Sequence, residues 1–563
     1  MEMNDYTRKH QPSIVTIVFI FALLYTGIFY EYSSCAFSIF LCIFLLCITK
    51  KEQKFVWRWN LTTVSVVLMM GFYLLSILWA VDRGMAFVGF LKFLPVLLFL
   101  MLLMQEKNVS ESIFSCFSYW VAAIVVLFIV AMYIPRLESR VSVAGRLAGF
   151  FQYPNTFALL LLVAELLIIG RIRNKVIDYI VLTVLITGLL MTGSRTVFVL
   201  ALVSNAVLIL FHKNKAVRII GLGALLFIFV GVVIYATVFD GAGVITRFVR
   251  FSLTESTFVG RILYFIDAVP LILRSPFGLG YMGYYYMQQS IQTGLYSVMF
   301  IHNDWLQMML DIGWVPCIFF IATIIKTVLN KKVSMSRKVI LVTMFLHSCF
   351  DFNLQFIGMF LLLLLFLDYE SGKVLVIKKH LITLKSIIMV VGCISIYCGV
   401  SLFLTHMGKH KASLELYPWN TQAQTAVLTE FKDIDEAGEI ADCILDRNEY
   451  VTLAYTIKAR QAYAKGDFRN VITYKNMLLE KAPFQYDECE EYAYMLINGI
   501  SLYTKAGDRQ SADVCRKELL ALSDRLEQTK THLSALGKMI KDQPTTQFPQ
   551  DIENYIKKME MTK

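Results

Sequence analysis

His302, Asn303 and Asp304 stand at the head of an apolar run, "FIHNDWLQMMLDIGW", three hydrogen-bonding groups in a row where the chain turns hydrophobic. Asn303 or Asp304 can cap the first turn of a helix. A neutral imidazole beside them can accept a proton from a hydroxyl. Upstream, three stretches set arginines beside turn-forming residues: Arg146 in "AGRLAGFFQYPNTFALLLL", Arg195 in "MTGSRTVFVLAL", and Arg261 and Arg274 in "GRILYFIDAVPLILRSPFGLG". A planar guanidinium forks onto phosphate oxygens through parallel hydrogen bonds. The chemistry these types suit is recognition of a phosphate or diphosphate with proton transfer next to it.

The elements that must position these groups are membrane spans. Apolar residues make up 57% of the 563, which excludes a single water-soluble core. About thirteen apolar runs are long enough to cross a roughly 30 Å hydrocarbon layer. They fall near 14–30, 34–48, 61–80, 86–104, 117–134, 155–170, 176–192, 196–211, 218–239, 303–328, 339–351, 353–367 and 384–404. The expected fold is all-α: a polytopic membrane bundle over residues 1–404 followed by a soluble helical domain, 405–563.

Lysine and arginine accumulate on the cytoplasmic side of membrane spans. With the N-terminus inside, alternate connections carry Lys50, Lys51, Lys54 and Arg58; Lys107; Arg171, Arg173 and Lys175; Lys213, Lys215 and Arg218; Lys331, Lys332, Arg337 and Lys338; and Lys373, Lys378, Lys379 and Lys385. This places the loops 135–154 and 240–302, and the C-terminal domain, outside. The external loops before residue 404 then hold Arg83, Arg136, Arg140, Arg146, Arg195, Arg247, Arg250, Arg261 and Arg274 and no lysine. Interfacial snorkelling explains some of them. Nine against none is better explained by a phosphate or diphosphate ligand at the outer surface.

Residues 1–404 hold 32 Lys+Arg against 18 Asp+Glu, and 405–563 hold 21 against 24. In the acidic tail, "YTIKARQAYAKGDFRNVITYKNMLLEKAP" and "ISLYTKAGDRQSADVCRKELLALSD" read as helix pairs around Gly-Asp turns, similar to tetratricopeptide repeats. Gly507 follows Gly466 by 41 residues, more than the roughly 34 of that repeat, so an ordinary helical bundle is an equal alternative. Three separated tail cysteines make neither a disulfide framework nor a zinc site.

His302, then Asn303, then nine residues and Gly313 match the pattern of His, then Asn, Ser or Gln, nine residues and Gly that marks the O-antigen ligase and O-antigen polymerase family. "GRLAGFFQYPN", "TGSR" and "GRILYFIDAVPLILRSPFGLG" resemble its other blocks, in order, from about Gly145 to Gly313. The resemblance implies a GT-C-like membrane glycosyltransferase of the bacterial plasma membrane. Its donor would be an undecaprenyl-diphosphate-linked glycan, and its acceptor a hydroxyl on a glycan, lipid or protein. His302 is the expected base, and Arg195 and Arg261 the groups that stabilise the departing diphosphate. Arg146 and Arg274 are expected diphosphate contacts, with Asn155, Asn303, Asp304 and Gly313 supporting. No metal, cofactor or nucleic acid is expected, and the tail is a possible protein-docking surface. A polymerase of lipid-linked repeat units fits the same residues. A flippase for the same lipid needs ionisable groups near the midplane and related halves; the candidates Lys92, Glu165 and Asp311 are few and mostly nearer span ends, and the spans show no internal repeat. A passive anchor for a scaffold leaves the external arginines unexplained.

Overall fold

The computed structural model describes residues 14–105, 109–170, 176–213, 215–238 and 256–561. Lys107, Arg171, Arg173, Lys175, Arg247 and Arg250 lie outside the described residues.

Helices dominate, as they must where backbone N–H and C=O groups have only each other for partners. Among the described residues seven are long and apolar enough to cross a membrane: Glu31–Glu52, Leu61–Leu78, Arg83–Gln105, Val109–Met132, Lys215–Tyr235, Ser256–Arg274 and Leu381–His406. Shorter apolar helices, among them Pro154–Ile169, Val176–Thr192, Arg195–Leu210, Trp314–Leu329 and Ile357–Phe366, complete the bundle. Every residue of Ile357–Phe366, "IGMFLLLLLF", is buried, and Pro154–Ile169 is buried along nearly its whole length. Helices that are apolar all round belong in the middle of a bundle. Lys215–Val238 is just as apolar yet almost wholly exposed, as a lipid-facing helix is. In a bilayer close packing rather than release of water separates the two cases.

Two small antiparallel ladders interrupt the expected all-α picture. Phe55–Trp59 pairs with Lys373–Ile377, Phe55 opposite Ile377, and joins two of the basic connections. Gln105 exchanges hydrogen bonds with the Val56 backbone at the end of Arg83–Gln105. Arg337 donates to the carbonyls of Leu365, Phe366 and Leu367, which helix Ile357–Phe366 leaves without intrahelical partners. The basic residues thus gather at one end of the bundle. The second ladder, Val143 opposite Arg146, lies elsewhere and turns through Ala144 and Gly145, both at positive φ, the geometry of a tight hairpin turn.

The structure revises several expected spans. The run 303–328 is two helices, Asp304–Ile312 and Trp314–Leu329, broken at Gly313, whose φ is +83°. A Cβ there would lie 2.1 Å from the Pro276 carbonyl oxygen, so only glycine lets segment 276–280 pack against the break. Leu279 and Gly280 donate to the carbonyls of Leu310 and Asp311 across this contact. The supposed external loop 240–302 contains the apolar helix Ser256–Arg274. The span 339–351 ends as a helix at Ser348, which leaves Asp351 in a turn.

The C-terminal helices form hairpins. Thr452–Ala464 and Phe468–Lys481 turn at Gly466 with Asp467 capping the second helix. Tyr486–Ala506 and Arg509–His532 turn at Gly507 with Asp508 as cap. Between the two glycines lie a helix of 14 residues and one of 21, and the length of the second accounts for the stretched spacing. The segment leading into the hairpins is seated on the end of the bundle away from the basic ladder: Asn448 donates to Asp82 at 3.0 Å and Tyr417 to the Gly84 carbonyl at 2.9 Å.

Replacing Gly313 by Ala should lower the thermal midpoint of detergent-solubilised protein more than Gly145→Ala does. Both sites carry positive-φ strain of about 1–3 kcal/mol for a side chain, but the added Cβ meets nothing within 4 Å at Gly145. Equal midpoints for the two variants would remove Gly313 as a packing requirement.

Candidate functional site

Four connections converge on one carboxylate. Asp351, in the turn between helices Met335–Ser348 and Ile357–Phe366, is 1% exposed. It accepts hydrogen bonds from Tyr153 Oη at 2.7 Å, Asn155 Nδ2 at 3.0 Å and the Phe352 backbone N–H at 3.0 Å. Arg261 Nη2 lies 3.5 Å from its Oδ2 and His302 Nδ1 3.4 Å from its Oδ1. Burial opposes ionisation of this group. The Arg261 charge, followed by the His302 hydrogen bond, outweighs that and holds the carboxyl well below the usual carboxylate range.

Local sequence explains how each partner arrives. Pro154 opens helix Pro154–Ile169 at its first position, where its missing N–H is no loss. Asn155 therefore begins a buried helix, and its side chain reaches Asp351 instead of capping. Its Oδ1 accepts from Arg146 Nη2 at 2.9 Å, and Arg146 Nε donates to the Thr192 carbonyl at 2.7 Å. The hairpin that carries Arg146 thus links the Asp351 cluster to the turn before Arg195, the first residue of helix Arg195–Leu210. Ser194 occupies the N-cap without a side-chain capping bond.

His302 has φ +57°, a conformation that disfavours any side chain. Neighbouring bonds hold it there. The Ile301 N–H donates to Gln307 Oε1 at 3.0 Å, and Asn303 Oδ1 accepts from the N–H groups of Trp305 and Leu306. Asn303, and not Asp304, is the cap. Asp304 instead accepts from the Leu354 N–H at 3.0 Å, and so fastens the His302 helix to the turn that bears Asp351. The imidazole packs against Phe352 with ring centres 4.9 Å apart. Below it lies Lys92, fully buried, which donates to Tyr281, pairs with Glu31 at 3.5 Å and sits over the rings of Phe29 and Phe300.

With Asp351 ionised, the hydrogen between it and His302 belongs on Nδ1, and in the neutral imidazole this leaves the lone pair on Nε2. That is the arrangement of a general base held in one tautomer by a carboxylate. Of the residues picked out by sequence, His302, Arg261, Arg146 and Asn155 meet around Asp351, with Asn303, Asp304 and Gly313 shaping the helix behind them. Arg274 is not among them. It is exposed at the far end of helix Ser256–Arg274, thirteen residues or about 20 Å along the axis from Arg261.

Asp351 escaped the sequence reading, as did Tyr153. The available signal was a carboxylate at the edge of two apolar runs, which calls for a partner.

Residues 180–321 match the family model described as O-antigen ligase. Arg195, Arg261 and His302 fall inside the matched segment, while Arg146, Asn155 and Asp351 lie outside it. No curated protein matches the chain.

A depressed carboxylate contributes stability that is complete above the unfolded value, near pH 4, and fades as pH falls through the folded one. Asp351→Asn should therefore cost roughly 1–3 kcal/mol at pH 7, and the gap to wild type should narrow towards pH 3. Thermal unfolding in detergent at the two pH values checks this, and a gap that widens in acid would contradict it.

Proposed function

We propose that the chain, whose residues 180–321 match the family model described as O-antigen ligase, transfers a glycan from an undecaprenyl-diphosphate carrier to an acceptor hydroxyl on the outer face of the bacterial plasma membrane. That match supports a role in surface polysaccharide assembly. The pairing of His302 Nδ1 with the buried Asp351, shared by Arg261, carries the finer reading.

In this mechanism His302 Nε2 takes the proton of the acceptor hydroxyl. The oxygen attacks the anomeric carbon on the face opposite the leaving group, the bond from that carbon to the phosphate oxygen breaks, and its electron pair leaves on the diphosphate. The anomeric configuration is inverted. Charge that grows on the diphosphate is met by Arg195 and Arg261, which act most strongly in the transition state. A guanidinium has five N–H donors, so one edge of Arg261 can rest on Asp351 while others face phosphate oxygens. Arg146 is assigned to holding Asn155 and the Thr192 turn in register, with diphosphate contact secondary. The reaction needs no metal in this scheme, since guanidinium groups supply the positive charge.

The accompanying topology has the N-terminus cytoplasmic, residues 1–404 in the membrane and 405–563 outside. The seating of the C-terminal helices near Asp82, at the end of the bundle opposite the basic ladder, supports it. Whether the acceptor ends a core lipid, as for a ligase, or another repeat unit, as for a polymerase, is a matter of acceptor choice at the same centre. A flippase would use the arginines but has no need of a base fixed by a carboxylate.

In purified protein supplied with undecaprenyl-diphosphate glycan, wild type should release undecaprenyl diphosphate in EDTA. His302→Ala, Arg195→Ala and Arg261→Ala should each lose about 10²–10⁴-fold in rate. Full activity of His302→Ala would overturn the assignment of the base.

A further inference from the structure

A cleft of about 280 Å³ lies between segment 289–297 and the C-terminal hairpins, with Gln289, Gln292, Tyr296, Phe484, Gln485 and Asp542 in its wall. Gln292 is 8% exposed, and its Oε1 has no hydrogen-bond partner among the described residues. A buried acceptor left in that state costs on the order of 1–3 kcal/mol. Its position in the cleft wall points to a donor that arrives with a ligand. The remaining chemistry narrows the ligand. Among the described residues no lysine or arginine lines the cleft, so its described wall does not suit a diphosphate. Side-chain amides offer donors and acceptors together, a carboxylate accepts, and Tyr296 and Phe484 supply aromatic surface. This mixture suits a hydroxyl-rich sugar.

One aromatic ring, that of Tyr264, stands between the cleft wall and His302. Tyr296 lies 4.5 Å, ring to ring, from Tyr264, which lies 6.3 Å from His302. The floor is fixed from both sides. Asp267 accepts from the Thr293 N–H, the Thr293 hydroxyl and Tyr296 Oη, and the Ser534 N–H donates to the Thr293 carbonyl at 3.0 Å. Gln485 Nε2 reaches Gln289 Oε1 at 3.3 Å across the join. The C-terminal segment therefore forms part of the cleft wall.

We propose that this cleft is the acceptor subsite, and that it binds the acceptor as a saccharide by a sugar next to the one whose hydroxyl His302 deprotonates. The proposal rests on the glycan-transfer reading and names the acceptor's chemical class. At about 280 Å³ the cleft holds the end of a chain, not a long polymer.

The test uses the full-length protein in detergent and, as probe, the glycan freed from its undecaprenyl carrier by mild acid, with binding followed by saturation-transfer NMR. Wild type and His302→Ala should bind alike. Gln292→Leu and the exposed-site variant Asp542→Ala should bind about tenfold more weakly, with the acceptor KM raised by the same factor and kcat kept. Wild-type affinity in both cleft variants, or no binding of the freed glycan to wild type, would overturn the subsite. Binding that weakens in the cleft variants while wild type transfers nothing would uphold the subsite and count against the transfer reaction instead.

Discussion

A carboxylate taken out of water is costly unless donors surround it, and the site is arranged around that requirement at Asp351. Its donors come from the start of Pro154–Ile169, from Ser256–Arg274, from the loop before Asp304–Ile312 and from its own turn. Four distant parts of the chain are therefore drawn together by one negative charge. The same charge gives His302 Nδ1 a partner and holds Arg261 within reach of the same place, so one structural requirement also builds the arrangement on which the proposed reaction relies.

The surrounding bundle makes this convergence rigid. The two most enclosed helices, Pro154–Ile169 and Ile357–Phe366, both begin at the site, and their packing fixes where Asn155 and Asp351 stand. The break at Gly313 keeps the helix behind His302 short and lets segment 276–280 pack against it. Lys92, paired with Glu31 and covered by aromatic rings, fills the space beneath the His302 loop with a charge that is satisfied rather than stranded.

Much of this was legible in the sequence because it is written locally. Composition and apolar run length gave the polytopic helical class. The cap at Asn303, the glycine after the short helix, and the arginines beside turn residues are all set within a few positions of one another. What was not legible depends on partners far apart. Asp351 lies 49 residues from His302, and a carboxylate at the edge of an apolar run looks like a boundary until the folded chain supplies its donors. Arg261 and Arg274 seemed equivalent in one loop, yet the helix between them sends one to the site and the other about 20 Å away. The ladder Phe55–Trp59 with Lys373–Ile377 joins segments some three hundred residues apart, and no local period announces it. In the tail, the Gly-Asp turns predicted hairpins correctly, but unequal helix lengths keep them from forming a regular repeat.

The most direct measurement is the anomeric configuration of the newly formed glycosidic bond, read by proton NMR coupling and compared with that of the diphosphate-linked donor. A base that activates the acceptor for a single displacement predicts inversion. Retention of configuration would require either a double displacement or attack from the face the diphosphate leaves, and would contradict His302 acting as the general base of a single opposite-face displacement.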